Sequence, residues 1–218
     1  MVLGLDKQPK VRQVSVEHQA RGYDMSAATY TIAAYPKQVA LRDGLRIVVR
    51  TVQEGDEQAL LDFFLGIPEG ERFFLKEDVT SPEVVRRWVT EQDYRRALAL
   101  LALDGSRVVA DAVLIRRRGN SRSHVGEIRV VVAPEYRDRG LGSALIRELC
   151  DIADDAGLEK VLFEVVADRE QEAVRAAEWL GFLRLATIEN GAVDPLGHHH
   201  DVVLMAMPLG RWYQWTKF

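Results

Sequence analysis

The sequence predicts a mixed α/β fold with a mostly antiparallel central sheet flanked by helices on both faces. Two hairpin signals indicate antiparallel pairing, because Gly44 and the turn pair Asp104-Gly105 each separate two apolar runs. The strands around the second turn are almost continuously apolar, which is typical of a sheet covered on both faces. The signals for strands and helices do not alternate strictly, so the sheet is not expected to be all parallel.

Each helix is predicted from a local pattern. Helical spacing of apolar residues over 54–66 favours the first helix, and Ser81-Pro82 is a typical start for the second, with a serine cap followed by proline in the first turn. The third helix runs from about Gly140 to Ala156 and carries an apolar stripe. Asp168 and Gln171 resemble a capping box for the fourth, which ends at Gly181.

Strands take up most of the remaining chain. They are predicted at 39–41, 45–52, 96–103, 107–116, 127–132, 161–167, 182–188 and 201–209. A long loop is expected from Glu189 to His200.

Length and composition indicate one globular domain with two short appendages. The 218 residues suit a domain over 37–209, an N-terminal extension over 1–36 and an aromatic C-terminal tail over 210–218. The tail is predicted to dock on the domain or to form a contact in a homodimer. One cysteine excludes an intrachain disulfide framework. The longest apolar run, Ala97 to Leu103, is too short to cross a membrane, and the start lacks a signal-peptide pattern, so we expect a cytoplasmic location.

The charge distribution favours one anionic ligand over a polyanion. The chain carries a net charge of −4, which argues against general affinity for nucleic acid. Between Asp111 and Arg147, eight arginines stand against four acidic residues, so this stretch is +4 and the rest is −8. A local basic island in an acidic protein is typical of a single anionic ligand, although a solvated strand end would also explain the run 116–118.

The segment Val130 to Leu145 carries the main functional signal. It places a basic, glycine-spaced loop between a strand and a helix. Free amides at a helix N-terminus form an anion site, and glycines let a phosphate approach the backbone. The pattern predicts pyrophosphate binding. A P-loop is excluded because the chain has no Gly-Lys pair, and a dinucleotide-binding loop fits poorly because Leu145 stands at its third glycine position.

The run Arg137-Asp138-Arg139-Gly140-Leu141-Gly142 resembles the Arg/Gln-x-x-G-x-G/A motif of the GNAT superfamily of acyl-CoA-dependent N-acetyltransferases. The preceding strand, the element order over Leu45 to Leu209 and the ending W-L-G-F after a helix are also similar to that family. The resemblance implies acetyl-CoA as the acyl donor, bound without a metal. Its predicted contacts are Val130, Val131 and Val132 for pantetheine, and Arg137, Asp138, Arg139, Gly140, Leu141, Gly142 and Ser143 for pyrophosphate.

The resemblance also implies catalytic roles. Glu127, at the start of the central strand, matches the position of a general base in many family members, and alternation places it on one face with Arg129. A salt bridge at the strand end is the alternative for Glu127. The tyrosine that often protonates the leaving thiolate is Ala177 here, and the common asparagine after the following strand is Asp168, for which we predict helix capping.

The remaining candidates have structural interpretations. His198, His199 and His200 are expected to form an exposed loop or to line the acceptor site, because adjacent residues rarely chelate one metal ion. Cys150 is expected to be a small buried residue. The predicted function is transfer of an acetyl group to a primary amine, on a small molecule or a protein lysine. The alternatives are a non-catalytic acyl-CoA sensor, favoured by Ala177, and a nucleotide-binding oxidoreductase.

Overall fold

The part of the chain that the structure describes contains a single central sheet of eight strands. This computed structural model describes residues 34–75, 77–94, 96–116 and 120–210. The strands are β1 (Lys37–Ala40), β2 (Arg46–Thr51), β3 (Ala97–Asp104), β4 (Arg107–Arg116), β5 (Val125–Val132), β6 (Lys160–Val166), β7 (Leu183–Val193) and β8 (His199–Pro208). The helices are α1 (Glu57–Gly66), α2 (Glu69–Arg72), α3 (Pro82–Thr90), α4 (Leu141–Asp155) and α5 (Gln171–Trp179). Most of the predicted extension and nearly all of the aromatic tail lie outside the described residues.

The order of the strands is β1-β2-β3-β4-β5-β6-β8-β7. Every neighbouring pair is antiparallel except β5 and β6, which run parallel. The prediction of a mixed, mostly antiparallel sheet is therefore confirmed. The parallel pair arises because α4 connects β5 to β6 and returns the chain to the same end of the sheet.

Helices cover both faces of the sheet. Helix α1 packs on α3 and β4, whereas α4 packs on β4, β5 and α5. Three successive residues of β4, Val108, Val109 and Ala110, are all buried. Because successive side chains of a strand point to opposite faces, β4 must be covered on both sides.

The two best-defined helix predictions are confirmed in detail. The Ser81 hydroxyl accepts a hydrogen bond from the Val84 amide (3.4 Å), with Pro82 in the first turn of α3. In α4 the predicted apolar stripe is buried, and so is Cys150. The buried stripe consists of Leu141, Leu145, Leu149 and Ile152.

The predicted long loop over 189–200 is wrong. Strand β7 continues to Val193 and β8 already begins at His199. The pairing of β7 with β8 is irregular between Ile188 and Ala192, where Asn190 adopts φ 53° and donates its amide to the Asp201 carboxylate (3.0 Å). The actual turn follows Asp194, whose carboxylate accepts hydrogen bonds from two later amides.

The start of α5 also differs from the prediction. Its N-cap residue is Glu170, and Asp168 lies outside the helix with its carboxylate paired to His200 (2.8 Å). The predicted capping role of Asp168 is therefore wrong. In the described part of the chain, no helix combines the length and the apolar character needed to cross a membrane.

Candidate active site

A cleft opens where strands β5 and β6 separate. Strand β5 pairs with β4 from Gly126 to Val132, but with β6 only as far as Ile128 opposite Phe163. Among the described residues, no strand pairs with the β6-facing edge of β5 from Arg129 onward. This separation is what the resemblance implies for the pantetheine site. The cleft has a volume of about 890 Å³.

The N-terminus of α4 lies at one end of this cleft. Its N-cap is Gly140, which adopts φ 88° and provides no side-chain cap. Ala144 is the first residue of α4 whose amide forms a main-chain hydrogen bond, which it donates to the Gly140 carbonyl (3.0 Å). The preceding amides of the first turn therefore point out of the helix end. This arrangement can hold an anion through main-chain donors and the helix dipole.

The two glycines of this loop differ in what a side chain would meet. A Cβ on Gly140 would lie 3.4 Å from the Arg42 Nε atom, and the φ of Gly140 is in the left-handed region. A Cβ on Gly142 would lie 3.7 Å from the Val132 side chain, which is ordinary contact. The backbone conformation therefore requires glycine at Gly140, whereas the space at Gly142 would admit a small side chain.

Arginine side chains surround the loop but are used differently. Arg137 donates through Nε to the Val132 carbonyl (3.0 Å) and through its terminal nitrogens to Glu71. Arg139 pairs with Asp43 (3.1 Å) and lies over the Tyr136 ring. Arg42 lines the cleft, and its amide donates to the Arg139 carbonyl (3.0 Å). Arg42 is a cleft residue that the sequence did not indicate, since the β1–β2 turn carries no recognisable motif.

Nine of the eleven predicted site residues line the cleft. These are Glu127, Val130, Val131, Val132, Arg137, Asp138, Gly140, Gly142 and Ser143. The exceptions are Arg139, which pairs with Asp43, and Leu141, whose side chain is buried in the core. At those two positions only the main chain remains available to a ligand.

Glu127 lies where β5 still pairs on both sides. It stands opposite Ile115 of β4 and Leu162 of β6, immediately before the strands separate, and only 8% of it is exposed. Arg129 follows on the same face and also lines the cleft. A carboxylate at the inner end of such a cleft is suited to accept a proton from a bound group.

A buried histidine contacts two residues that line the cleft, Phe74 and Asp168. His200 pairs through Nδ1 with Asp168 (2.8 Å), and its ring meets the Phe74 ring edge-on with centroids 5.5 Å apart. Burial opposes ionisation of Asp168, but the hydrogen bond with His200 holds the pKa of its carboxyl below the usual value. The prediction of an exposed histidine loop is therefore wrong for His200. His198 and His199 are exposed as expected, although His199 already belongs to β8.

The Asp194 carboxylate stabilises the turn between β7 and β8. This buried carboxylate accepts hydrogen bonds from the amides of Leu196 and His198 (both 2.9 Å) and pairs with the His198 ring. Burial alone would raise the pKa of Asp194, but these hydrogen bonds lower it well below the usual range. Among the described residues no group of three or more His, Cys, Asp or Glu is arranged to hold a metal ion.

Comparison with known proteins identifies the family. A sequence profile of the acetyltransferase (GNAT) family matches residues 57–182. Glucosamine 6-phosphate N-acetyltransferase from Trypanosoma brucei brucei is 36% identical over 81 residues, covering 35% of this chain and 51% of that protein. The ribosomal protein bS18-alanine N-acetyltransferase of Salmonella typhimurium is 32% identical over 80 residues, covering 37% and 53%. The chain thus spans about half the length of the curated relatives it matches.

The fold is also shared with solved structures. YncA of Salmonella typhimurium, solved with its cofactor acetyl-CoA, has a TM-score of 0.65 at 18% identity, covering 76% of this chain and 95% of that one. At that identity the likeness concerns the fold alone. The family profile covers more than half of the 218 residues, and the element order and the cleft agree with it. The chain therefore belongs to the GNAT acetyltransferase family.

Proposed function

We propose that this protein is an N-acetyltransferase that moves an acetyl group from acetyl-CoA to a primary amine. The observation that carries the proposal is the separation of β5 from β6 beside the uncapped N-terminus of α4. A free strand edge can pair with the amides of pantetheine, and the helix end can hold a pyrophosphate. Few other ligands require both features in one cleft.

The donor would lie along β5 and end at α4. Val130, Val131 and Val132 would offer main-chain hydrogen bonds to pantetheine, and the amides from Arg137 to Ser143 would hold the pyrophosphate. Arg42 and Arg137 would add positive charge at the same end. In this placement the thioester lies deeper in the cleft, toward Glu127.

Glu127 would act as the general base. A primary amine is an ammonium ion at neutral pH and must lose a proton before its nitrogen can attack the thioester carbonyl. The Glu127 carboxylate, directly or through water, would take that proton as the carbon–nitrogen bond forms. The carbon–sulfur bond then breaks, and the thiolate of CoA leaves. Ala177 is buried and has no hydroxyl, so water is the proposed proton source for the thiolate.

Two acceptor classes follow from the family. The matched relatives are named for glucosamine 6-phosphate and for the alanine of a ribosomal protein. The acceptor here would accordingly be a small-molecule amine or an amine on a protein, a lysine included. The buried Ala177 in place of a hydroxyl donor also favours a second candidate, a non-catalytic acyl-CoA sensor.

Thermal unfolding with acetyl-CoA, CoA, NADH and ATP tests the donor. A ligand present at 100 times its dissociation constant stabilises the folded state by about 2.7 kcal/mol, a rise of several degrees in Tm. We expect this rise with acetyl-CoA and CoA only. A rise with NADH alone would contradict the proposal.

Turnover then separates enzyme from sensor. We expect Glu127→Gln to bind acetyl-CoA as the wild type does while kcat falls about 10²- to 10⁴-fold. The matched control is Glu178→Gln, which changes an exposed carboxylate paired with Arg184. Binding of acetyl-CoA without acetylation of any amine by the wild type would favour the sensor.

A further inference from the structure

The Arg129 side chain lines the cleft and has few hydrogen-bond or ion-pair partners among the described residues. It lies on β5 two residues after Glu127, on the same face, and lines the cleft. It is partly buried, and its Nε atom is fully buried without a hydrogen-bond partner in the part of the chain that the structure describes. Within the same residues, no carboxylate oxygen forms a salt bridge with its guanidinium.

Three other arginines around the cleft, in contrast, form ion pairs with carboxylates. Arg137 pairs with Glu71, Arg169 with Asp194, and Arg175 with Glu172. The Arg129 Nε–H group is removed from water without a replacing partner among the described residues, which costs free energy, whereas the side chain as a whole is only half-buried. Such a group gains most from an anion that enters the cleft and forms two parallel hydrogen bonds with it.

One acidic residue of the neighbouring strand only partly offsets this charge. Asp111 stands opposite Val131 and shares a face with Arg129. Burial raises the pKa of its carboxyl to about 7, against the opposing pull of the Arg129 charge. Asp111 is therefore only partly ionised at neutral pH, so it neutralises the Arg129 charge incompletely.

The position of Arg129 indicates which ligand carries the anion. Along a strand, Arg129 is about 7 Å from Glu127 and about 10 Å from Val132, beyond which the phosphate-binding loop begins. Arg129 therefore lies nearer to the proposed base than to the pyrophosphate site. An anion bound there would belong to the molecule whose amine meets Glu127.

We propose that Arg129 selects a small amine acceptor that also carries a carboxylate or phosphate group, which the guanidinium binds while the amine lies at Glu127. This inference rests on the proposed acetyltransferase function and specifies its acceptor. Both anions suit the planar fork of the guanidinium, so the experiment contains an arm for each.

The test compares matched acceptors that differ by one anionic group. Glucosamine 6-phosphate is paired with glucosamine, and L-methionine with L-methioninamide, at saturating acetyl-CoA. We expect wild-type kcat/KM to be about ten- to hundredfold higher for the anionic member of at least one pair, the range for a charged hydrogen bond. Arg129→Met should abolish that ratio, because it lowers kcat/KM for the anionic member much more than for the neutral one, with the KM for acetyl-CoA unchanged.

Two further variants control the comparison. Arg184→Met removes an exposed arginine paired with Glu178 and should preserve the ratio. Arg129→Lys keeps the charge but loses the fork, so it should recover only part of the ratio. Thermal unfolding checks folding: Arg129→Met removes no described hydrogen bond and should unfold near the wild-type temperature.

The outcomes separate this inference from the proposed function. Acetylation of the neutral acceptors with no anionic preference overturns the role of Arg129 and leaves the enzyme activity standing. A lysine-containing peptide acetylated faster than every small amine, and equally by Arg129→Met, also overturns it. Binding of acetyl-CoA with no acetylation of any acceptor contradicts both.

Discussion

The two ends of the cleft are built in different ways. At the α4 end the groups that face a ligand are main-chain amides, held by Gly140 and a helix that begins without a side-chain cap. At the inner end they are side chains from separate elements, such as Glu127 on β5 and Phe74 after α2, and His200 of β8 packs against Phe74. The first end follows a local pattern and is shared across a family, whereas the second depends on tertiary packing and can vary with the acceptor.

The largest expected effect comes from a substitution that disturbs only the anion site at the N-terminus of α4. Gly140→Ala places a side chain at φ 88° and within 3.4 Å of Arg42, so the loop must shift. We expect the dissociation constant for acetyl-CoA to rise about a hundredfold, measured by calorimetry, because several amide hydrogen bonds to one anion are lost together.

Gly157→Ala is the matched control for that change. Gly157 follows the other end of α4 at φ 73° with open space around it, so its backbone cost of about 1–2 kcal/mol is similar. The control should lower Tm without altering acetyl-CoA binding. Equal loss of binding in both variants would mean that Gly140 acts only through stability.

A second prediction contrasts two carboxyl groups, those of Asp111 and Asp194, whose pKa values are shifted in opposite directions. Burial raises the pKa of Asp111 above its unfolded value, to about 7, so the cost of ionising it is absent below about pH 4, grows between about pH 4 and 7 and stays constant above that. Asp111→Asn should therefore raise the free energy of unfolding at pH 8 by on the order of 1–3 kcal/mol and leave it nearly unchanged at pH 4. Urea unfolding at the two pH values measures this, and equal changes at both would contradict it.

Asp194→Asn should have the opposite sign. The folded-state pKa of Asp194 is lowered by its hydrogen bonds, so its contribution is present above about pH 4 and is lost as pH falls below that value. We expect a lower Tm for Asp194→Asn at pH 7 and a smaller difference at pH 3. A constant difference across this range would show that the ionised carboxylate is not what holds the turn.

The smallest predicted effect concerns the ion pair between Glu71 and Arg137. Glu71 on α2 pairs with Arg137, which would otherwise be available to the pyrophosphate. Exposed pairs contribute at most about 1 kcal/mol, so Glu71→Gln should tighten acetyl-CoA binding no more than about fivefold. Glu172→Gln, which frees Arg175 instead, should leave binding unchanged. Weaker binding in Glu71→Gln would mean that Glu71 supports the loop.

The sequence could predict the fold where the signals were local. The Ser81-Pro82 start of α3, the buried stripe of α4 and the antiparallel hairpins depend on neighbouring residues and are confirmed. The loop predicted over 189–200 is wrong because β7 continues its pairing with β8 past an irregularity, a tertiary contact that no local pattern indicates. The capping role predicted for Asp168 is wrong because its carboxylate meets His200, 32 residues away, rather than the nearby helix.

The same distinction applies to the site. Residues over Val130 to Ser143 were identified because one contiguous motif contains them. Arg42, Glu71 and Phe74 reach the cleft from the β1–β2 turn and the segment around α2, and no spacing in the sequence connects them to β5. Alternation did place Arg129 beside Glu127, but only the structure shows that its Nε is buried without a partner in the described residues.

Hydrogen exchange of the backbone amides, with and without acetyl-CoA, tests the central claim most directly. We expect new protection at Val130 to Val132, with which no described strand pairs on the β6-facing edge, and at Leu141 to Ser143, whose amides begin α4. The amides of β3 should not change, because that strand is paired on both sides away from the cleft. Protection that appears elsewhere while both segments stay unchanged would contradict the proposed donor site.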